Sequence, residues 1–178
     1  MVSFVRLFNR LAENKHYNHK KYWRMRKEVI NKDSKVPKMI RFYYLYRMKK
    51  IEALNNAFIG TFMGVGTTFL EPPILPHALN GIVISSFAKI GKNCTIYHQV
   101  TIAQENNKAA EIGDNCLIGA GAKIIGEIKI GNNVKIGANT VVNKDVPDNC
   151  TVVGIDKIVK LNGKRVNMSL KDYWNNNL

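Results

Sequence analysis

Residues Ile112-Gly113-Asp114-Asn115-Cys116-Leu117-Ile118-Gly119-Ala120-Gly121-Ala122-Lys123-Ile124 decide the fold. A large aliphatic residue stands at every sixth position, and glycine follows it at 113 and 119. The same spacing runs back through Ile84, Ile90, Ile96 and Ile102 and forward through Ile130, Ile136 and Val142. Glycine again follows the anchor at Gly91, Gly131 and Gly137. Four residues after most anchors comes a smaller side chain: Cys94, Cys116, Ala122, Val134, Thr140; Ile128 is the bulky exception. An amphipathic helix returns its apolar face at three, four and seven, so a bare six does not fit one. One short strand plus one turn, repeated at fixed length, does fit. Three such units close a triangular coil, and coils stack at the parallel-strand spacing of about 4.8 Å. The anchor points inward, the glycine permits the tight corner or a positive φ, and the small residue fills a narrow interior. No repeat buries its apolar face alone, so stability comes from stacking.

Between Ile102 and Ile112 the step is ten residues instead of six. The excess within 103–110 must leave the coil as a loop, and interruptions of a solenoid commonly form its binding face. Upstream, Glu71-Pro72-Pro73-Ile74-Leu75-Pro76-His77 cannot be ordinary ladder, because proline lacks the N–H donor. Residues 56–81 are read as an irregular first coil. The chain divides into a helical segment 1–55, a β-helix 56–156 and a C-terminal tail 157–178. Within the first segment, Phe4, Val5, Phe8, Leu11 and Ala12 share one helical face. A second helix starts near Pro37 and runs to about Asn55, with Ile40, Tyr44, Ile51 and Leu54 on one side. Between them lies the basic and aromatic run Tyr22-Trp23-Arg24-Met25-Arg26-Lys27.

The charge of +14 is unevenly placed. Residues 1–50 hold 15 Lys/Arg against 3 Asp/Glu, and the remainder is nearly neutral. No stretch approaches the roughly 18 to 20 apolar residues of a membrane span, and the start does not read as a signal peptide. Three cysteines, Cys94, Cys116 and Cys150, suggest neither a disulfide framework nor a CxxC metal site. They fit a reducing compartment, so the expected location is cytoplasmic.

The hexapeptide array resembles the hexapeptide-repeat acyltransferase superfamily. The stretch 112–124, with Ile136-Gly137-Ala138-Asn139-Thr140-Val141-Val142 after it, is similar to the serine acetyltransferase branch, over roughly residues 60–160. Within that branch it resembles the short, serine acetyltransferase-like proteins of surface-polysaccharide pathways. The resemblance implies a left-handed parallel β-helix, a homotrimer, acetyl-CoA as co-substrate and no metal. It also implies a role for His77, which stands before the Gly81-Ile82-Val83 run as the family's general base does. An imidazole with a pKa near 6.5 is suited to taking a hydroxyl proton in the transition state. In the family an acid about fifteen residues upstream orients this base. Here that position falls near Phe62, and no acid lies between Glu52 and Glu71. Glu71 or a backbone carbonyl is left to hold the ring, unless Glu71 is only a solvated loop charge. His98 and Asn80 are candidates for lining the acceptor cleft, the alternative for His98 being a plain exposed solenoid residue.

Two departures bear on the acceptor. Serine acetyltransferases carry Asp just before the catalytic His, where this chain has Pro76; they carry Arg-His where it has Lys108-Ala109. Those side chains hold the charged ends of serine, and a site that has lost them should not keep it. A sugar or glycan hydroxyl is therefore the expected acceptor. Serine O-acetylation in cysteine biosynthesis, a non-catalytic β-helix scaffold and a three-histidine zinc site are the rivals. For the donor, the resemblance implies a groove between subunits in which small residues let coenzyme A approach: Ala103, Ala120, Ala122, Gly137 and Ala138. Lys144 and Lys157 stand as candidates for its phosphates. The basic aromatic N-terminus has three readings: a packing element, a contact with an anionic membrane through residues 1–50, or nucleic acid, for which no recognition motif speaks.

Overall fold

The computed structural model describes residues 17–154 and 157–176. The helix expected around Phe4–Ala12 lies outside the described residues. Two helices come first, α1 (His19–Ile30) and α2 (Lys38–Leu54). Asn18 caps α1 by accepting from the Lys21 N–H, and Pro37 stands immediately before α2, where its fixed φ and missing N–H cost nothing.

The six-residue repeats form three parallel sheets, one for each side of a triangular solenoid. The first stacks β4 (Val83–Ile84), β7 (Thr101–Ala103), β10 (Lys123–Ile125) and β13 (Val141–Val142). The second stacks β3 (Thr68–Phe69), β5 (Lys89–Ile90), β8 (Glu111–Ile112) and β11 (Lys129–Ile130). The third stacks β6 (Thr95–Ile96), β9 (Leu117–Ile118), β12 (Lys135–Ile136) and β14 (Cys150–Val153). The anchors pair in register, Ile84 with Ile102 and Ile124 with Val142 on the first side, Ile90 with Ile112 and Ile130 on the second, Ile96 with Ile118 and Ile136 on the third. All are buried.

Glycine serves differently from the sequence expectation. Gly91, Gly113, Gly119, Gly131 and Gly137 do not have positive φ; asparagines Asn93, Asn115, Asn133, Asn139 and Asn149 take the left-handed positions. The glycines allow close stacking instead. A Cβ at Gly113 would lie 2.8 Å from the Gly131 carbonyl carbon in the next coil. Side-chain amides run up the same edge, Asn93 donating to Asn115 (2.9 Å), Asn115 to Asn133 (3.2 Å) and Asn133 to Asn149 (3.0 Å).

The segment 56–81 forms a complete first coil. Phe58 bridges to Val83, β3 pairs with β5, and Ile74 bridges to Thr95, one contact on each side. A small hairpin, β1 (Thr61–Phe62) and β2 (Val65–Gly66), is inserted in it. Helix α1 packs on this coil through Tyr22, Trp23, Met25, Arg26 and Val29, all buried. Arg26 ties the two together: Nε donates to Thr61 Oγ1 (3.0 Å), Nη2 to the Thr67 carbonyl (2.5 Å), and the guanidinium lies over Trp23 and Phe69. Tyr22 donates to Glu52 of α2 (2.6 Å). The stretch expected as a C-terminal tail folds into β15 (Lys157–Leu161) and β16 (Lys164–Ser169), which extend the third sheet antiparallel, followed by α3 (Leu170–Asn175) with a Ser169/Asp172 capping box. Among the described residues no helix is long and apolar enough to cross a membrane.

Candidate active site

The corner between the third and first sides carries the site. In the regular coils this corner is short: Ile96 to Ile102 takes six residues. In the first coil the inward residues are Leu75, one past the Ile74 bridge, and Ile84, and the step takes nine. The three additional residues push Pro76 and His77 out of the coil, and Ala78 turns the chain back at φ 54°. Leu79 is fully buried behind them, and the Gly81 N–H donates to the Asn55 carbonyl at the end of α2 (2.8 Å). The Leu75–Ile84 excess is the signal that the six-residue count passes over, because it begins before the first regular anchor.

Below the excursion the corner repeats as a column. Gln99 N–H donates to the Asn80 carbonyl (2.9 Å), Gly121 N–H to His98 (2.9 Å), and Asn139 N–H to Ala120 (2.8 Å). Asn80, His98, Ala120 and Ala138 are thus one stack, each just before a left-handed residue, Gly81, Gln99, Gly121 or Asn139. The column unites both acceptor-cleft candidates with two of the small residues proposed beside coenzyme A.

The exposed His77 ring meets His98, with the two Nδ1 atoms 2.6 Å apart and the rings tilted by 47°. Tyr97 stands edge-on to His77, 5.6 Å between centroids. Glu71 is exposed; among the described residues, no hydrogen bond or ion pair joins it to His77. A cleft of about 740 Å³ opens at His77, between the start of α1 (Tyr17, His19) and the segment from Pro72 to Ala78. Through His19 and Pro72 it continues into a second hollow of about 640 Å³, with Trp23, Lys20, Arg24 and Lys27 on its walls. Among the described residues no three His, Cys, Asp or Glu side chains are grouped to hold a metal ion.

The other candidates are dispersed. Gly137 adjoins the Ala138 corner, whereas Ala103 and Lys144 lie at the next corner, between the first and second sides. Ala122 points inward and is fully buried, which leaves only its backbone for a ligand. Lys157 is exposed at the start of β15. The four-residue excess after Ile102 forms a loop closed by a Glu105–Lys108 bridge, and Ala109 returns into the core.

Stacked six-residue repeats with a polar corner define the class, a hexapeptide-repeat protein. The family model for the bacterial transferase hexapeptide (six repeats) matches residues 109–144. Serine acetyltransferase of Staphylococcus aureus is 41% identical over 133 residues, a match spanning 68% of this chain and 62% of the relative. A crystal structure of Neisseria gonorrhoeae serine acetyltransferase in complex with serine is 35% identical, with a TM-score of 0.53 over 66% of this chain and 46% of that one. A serine acetyltransferase in complex with CoA is 27% identical, with a TM-score of 0.56 over 71% of this chain and 48% of that one. The chain therefore spans less than two thirds of the length of these relatives. It belongs to the hexapeptide-repeat acyltransferase superfamily, in the serine acetyltransferase-like branch, and its solenoid is the left-handed parallel β-helix of that branch.

Proposed function

We propose that this protein transfers the acetyl group of acetyl-CoA to a hydroxyl, with His77 as general base. The observation that carries the reading is an exposed imidazole held at a cleft, on a β-helix similar to serine acetyltransferases. His77 takes the proton of the acceptor hydroxyl as its oxygen attacks the thioester carbonyl. The tetrahedral intermediate collapses with cleavage of the C–S bond, and the departing thiolate recovers the proton from the imidazolium. Small side chains at one corner, Ala120 and Ala138 beside Gly137, suit close approach of the coenzyme A chain. A single chain supplies one wall of such a groove, so a homotrimer is part of this reading, as is a cytoplasmic supply of acetyl-CoA.

Two acceptors have an observation behind them. The names of the relatives speak for L-serine, and more directly than any comparison speaks for a sugar. The residues speak for a neutral sugar or glycan hydroxyl: proline precedes His77, and the buried Ala109 offers no charge for a carboxylate or ammonium. Thiol release from acetyl-CoA with L-serine and with a panel of nucleotide sugars and oligosaccharides separates them.

One exposed face supports the membrane reading. Helix α2 exposes Met39, Phe42, Tyr43 and Tyr46, and Lys38 and Lys50 are exposed on the same side. Such a face suits an anionic lipid surface. Pelleting with anionic liposomes at low salt, reduced by Met39→Ser/Phe42→Ser, supports it; no pelleting contradicts it.

A further inference from the structure

A general base needs a partner that fixes its ring and its tautomer. We infer that His98 is the positioning residue of His77, serving through its Nδ1 where a carboxylate would otherwise stand; the inference rests on the acetyl transfer proposed above. Two imidazole nitrogens 2.6 Å apart are held together only if one carries the hydrogen and the other the lone pair. When His77 Nδ1–H donates to His98 Nδ1, His77 Nε2 is left bare to accept the hydroxyl proton. The opposite arrangement places the hydrogen of neutral His77 on Nε2, which then cannot act as base. After proton transfer His77 is an imidazolium, its Nδ1–H still bonded to neutral His98, and the bond is now charge-assisted. The ion is stabilised at the moment it forms, and it returns its proton from Nε2 to the leaving thiolate.

The backbone gives His98 the fixity this role needs. Tyr97 N–H donates to Ile118 (3.0 Å), Gln99 N–H to Asn80 and Gly121 N–H to His98 (both 2.9 Å), so the residue is pinned to the coils above and below. Tyr97 also stands edge-on to the His77 ring. Among the described residues, no hydrogen bond or ion pair joins the ring to Glu71, the nearest acid before His77 in sequence. Unlike a carboxylate, a neutral imidazole orients the base without adding negative charge beside it.

The test has one arm that needs no turnover. In the full-length protein labelled with nitrogen-15 histidine, two-bond proton–nitrogen spectra above neutral pH should show His77 as the Nδ1–H tautomer. His98→Asn should keep that tautomer, because the amide Oδ1 replaces the Nδ1 acceptor, and His98→Ala should lose it. In the kinetic arm, His98→Ala should lower kcat for thiol release from acetyl-CoA about 10- to 100-fold and leave the KM for acetyl-CoA unchanged. His98→Asn should restore most of the rate. His98→Asp should restore it too, because a carboxylate oxygen also accepts from His77 Nδ1–H. An Nε2–H tautomer at His77, a wild-type kcat in His98→Ala, or no rescue by His98→Asn would each overturn the inference. The expected tautomer in a protein that acetylates no member of the acceptor panel would count against the acetyl-transfer reading and leave the pairing intact.

Discussion

His77 stands outside the ladder because the chain has three residues more than the corner needs, and Ala78 accepts a left-handed φ to bring the chain back. A non-glycine residue there costs on the order of 1 kcal/mol, offset by the burial of Leu79 and the bond from Gly81 to Asn55. At the same scale, Arg26 joins α1 to the first coil, and burial lowers its pKa to about 10. Arg26→Met should leave the Thr67 carbonyl without its donor and destabilise the protein by about 2 kcal/mol. Urea unfolding checks this, and an unchanged midpoint contradicts it. The cysteines illustrate the opposite case, residues whose chemistry is silenced by position. All three are buried, and burial, with Asp148 nearby, pushes the Cys150 thiol up to about 11. Ellman's reagent at pH 8 should label them only after denaturation; immediate labelling of the native protein would show that the coils open.

At the scale of elements, the column of anchors was legible because a period of six admits few folds, and the repeat extends unbroken except at one loop. The purpose of the glycines was not legible. Periodicity shows that a small residue is required, but not whether the reason is φ or clearance. For the glycines that directly follow the anchors the structure gives clearance; the left-handed φ falls two residues later, on asparagine in most repeats. Gly113→Ala should therefore cost about 1–3 kcal/mol by forcing coils apart, measurable as a lowered thermal midpoint, and a midpoint equal to wild type would contradict the clearance argument. The hairpin β15–β16 was hidden for a different reason. Its strands lack the hexapeptide spacing, and pairing between residues far from the repeats is set by the edge of β14 that they cover. His98 was visible only as a residue off the inward register; that it meets His77 depends on the Leu75–Ile84 excursion, which three prolines obscure.

For the whole molecule, the column Asn80–His98–Ala120–Ala138 lies along a corner that one chain leaves open, and the proposed donor groove needs a neighbour. Sedimentation equilibrium should give three times the 20.1 kDa chain mass. A monomer would leave Ala103 and Lys144 on a different corner from Ala120, Gly137 and Ala138, with nothing to bring them together. The basic N-terminal segment and the nearly neutral β-helix are distinct in charge, yet α1 is fastened to the first coil by Arg26 and borders the cleft at His77.

The central claim is that His77 catalyses acetyl transfer from acetyl-CoA to a hydroxyl. The direct measurement is thiol release in the presence of L-serine and, separately, each member of the sugar panel, with wild type and His77→Ala. Acceptor-dependent release that falls about 100-fold or more in His77→Ala is the predicted result, and the acceptor that supports it decides between serine and sugar. Release that is undiminished in His77→Ala, or absent with every acceptor, would contradict the account.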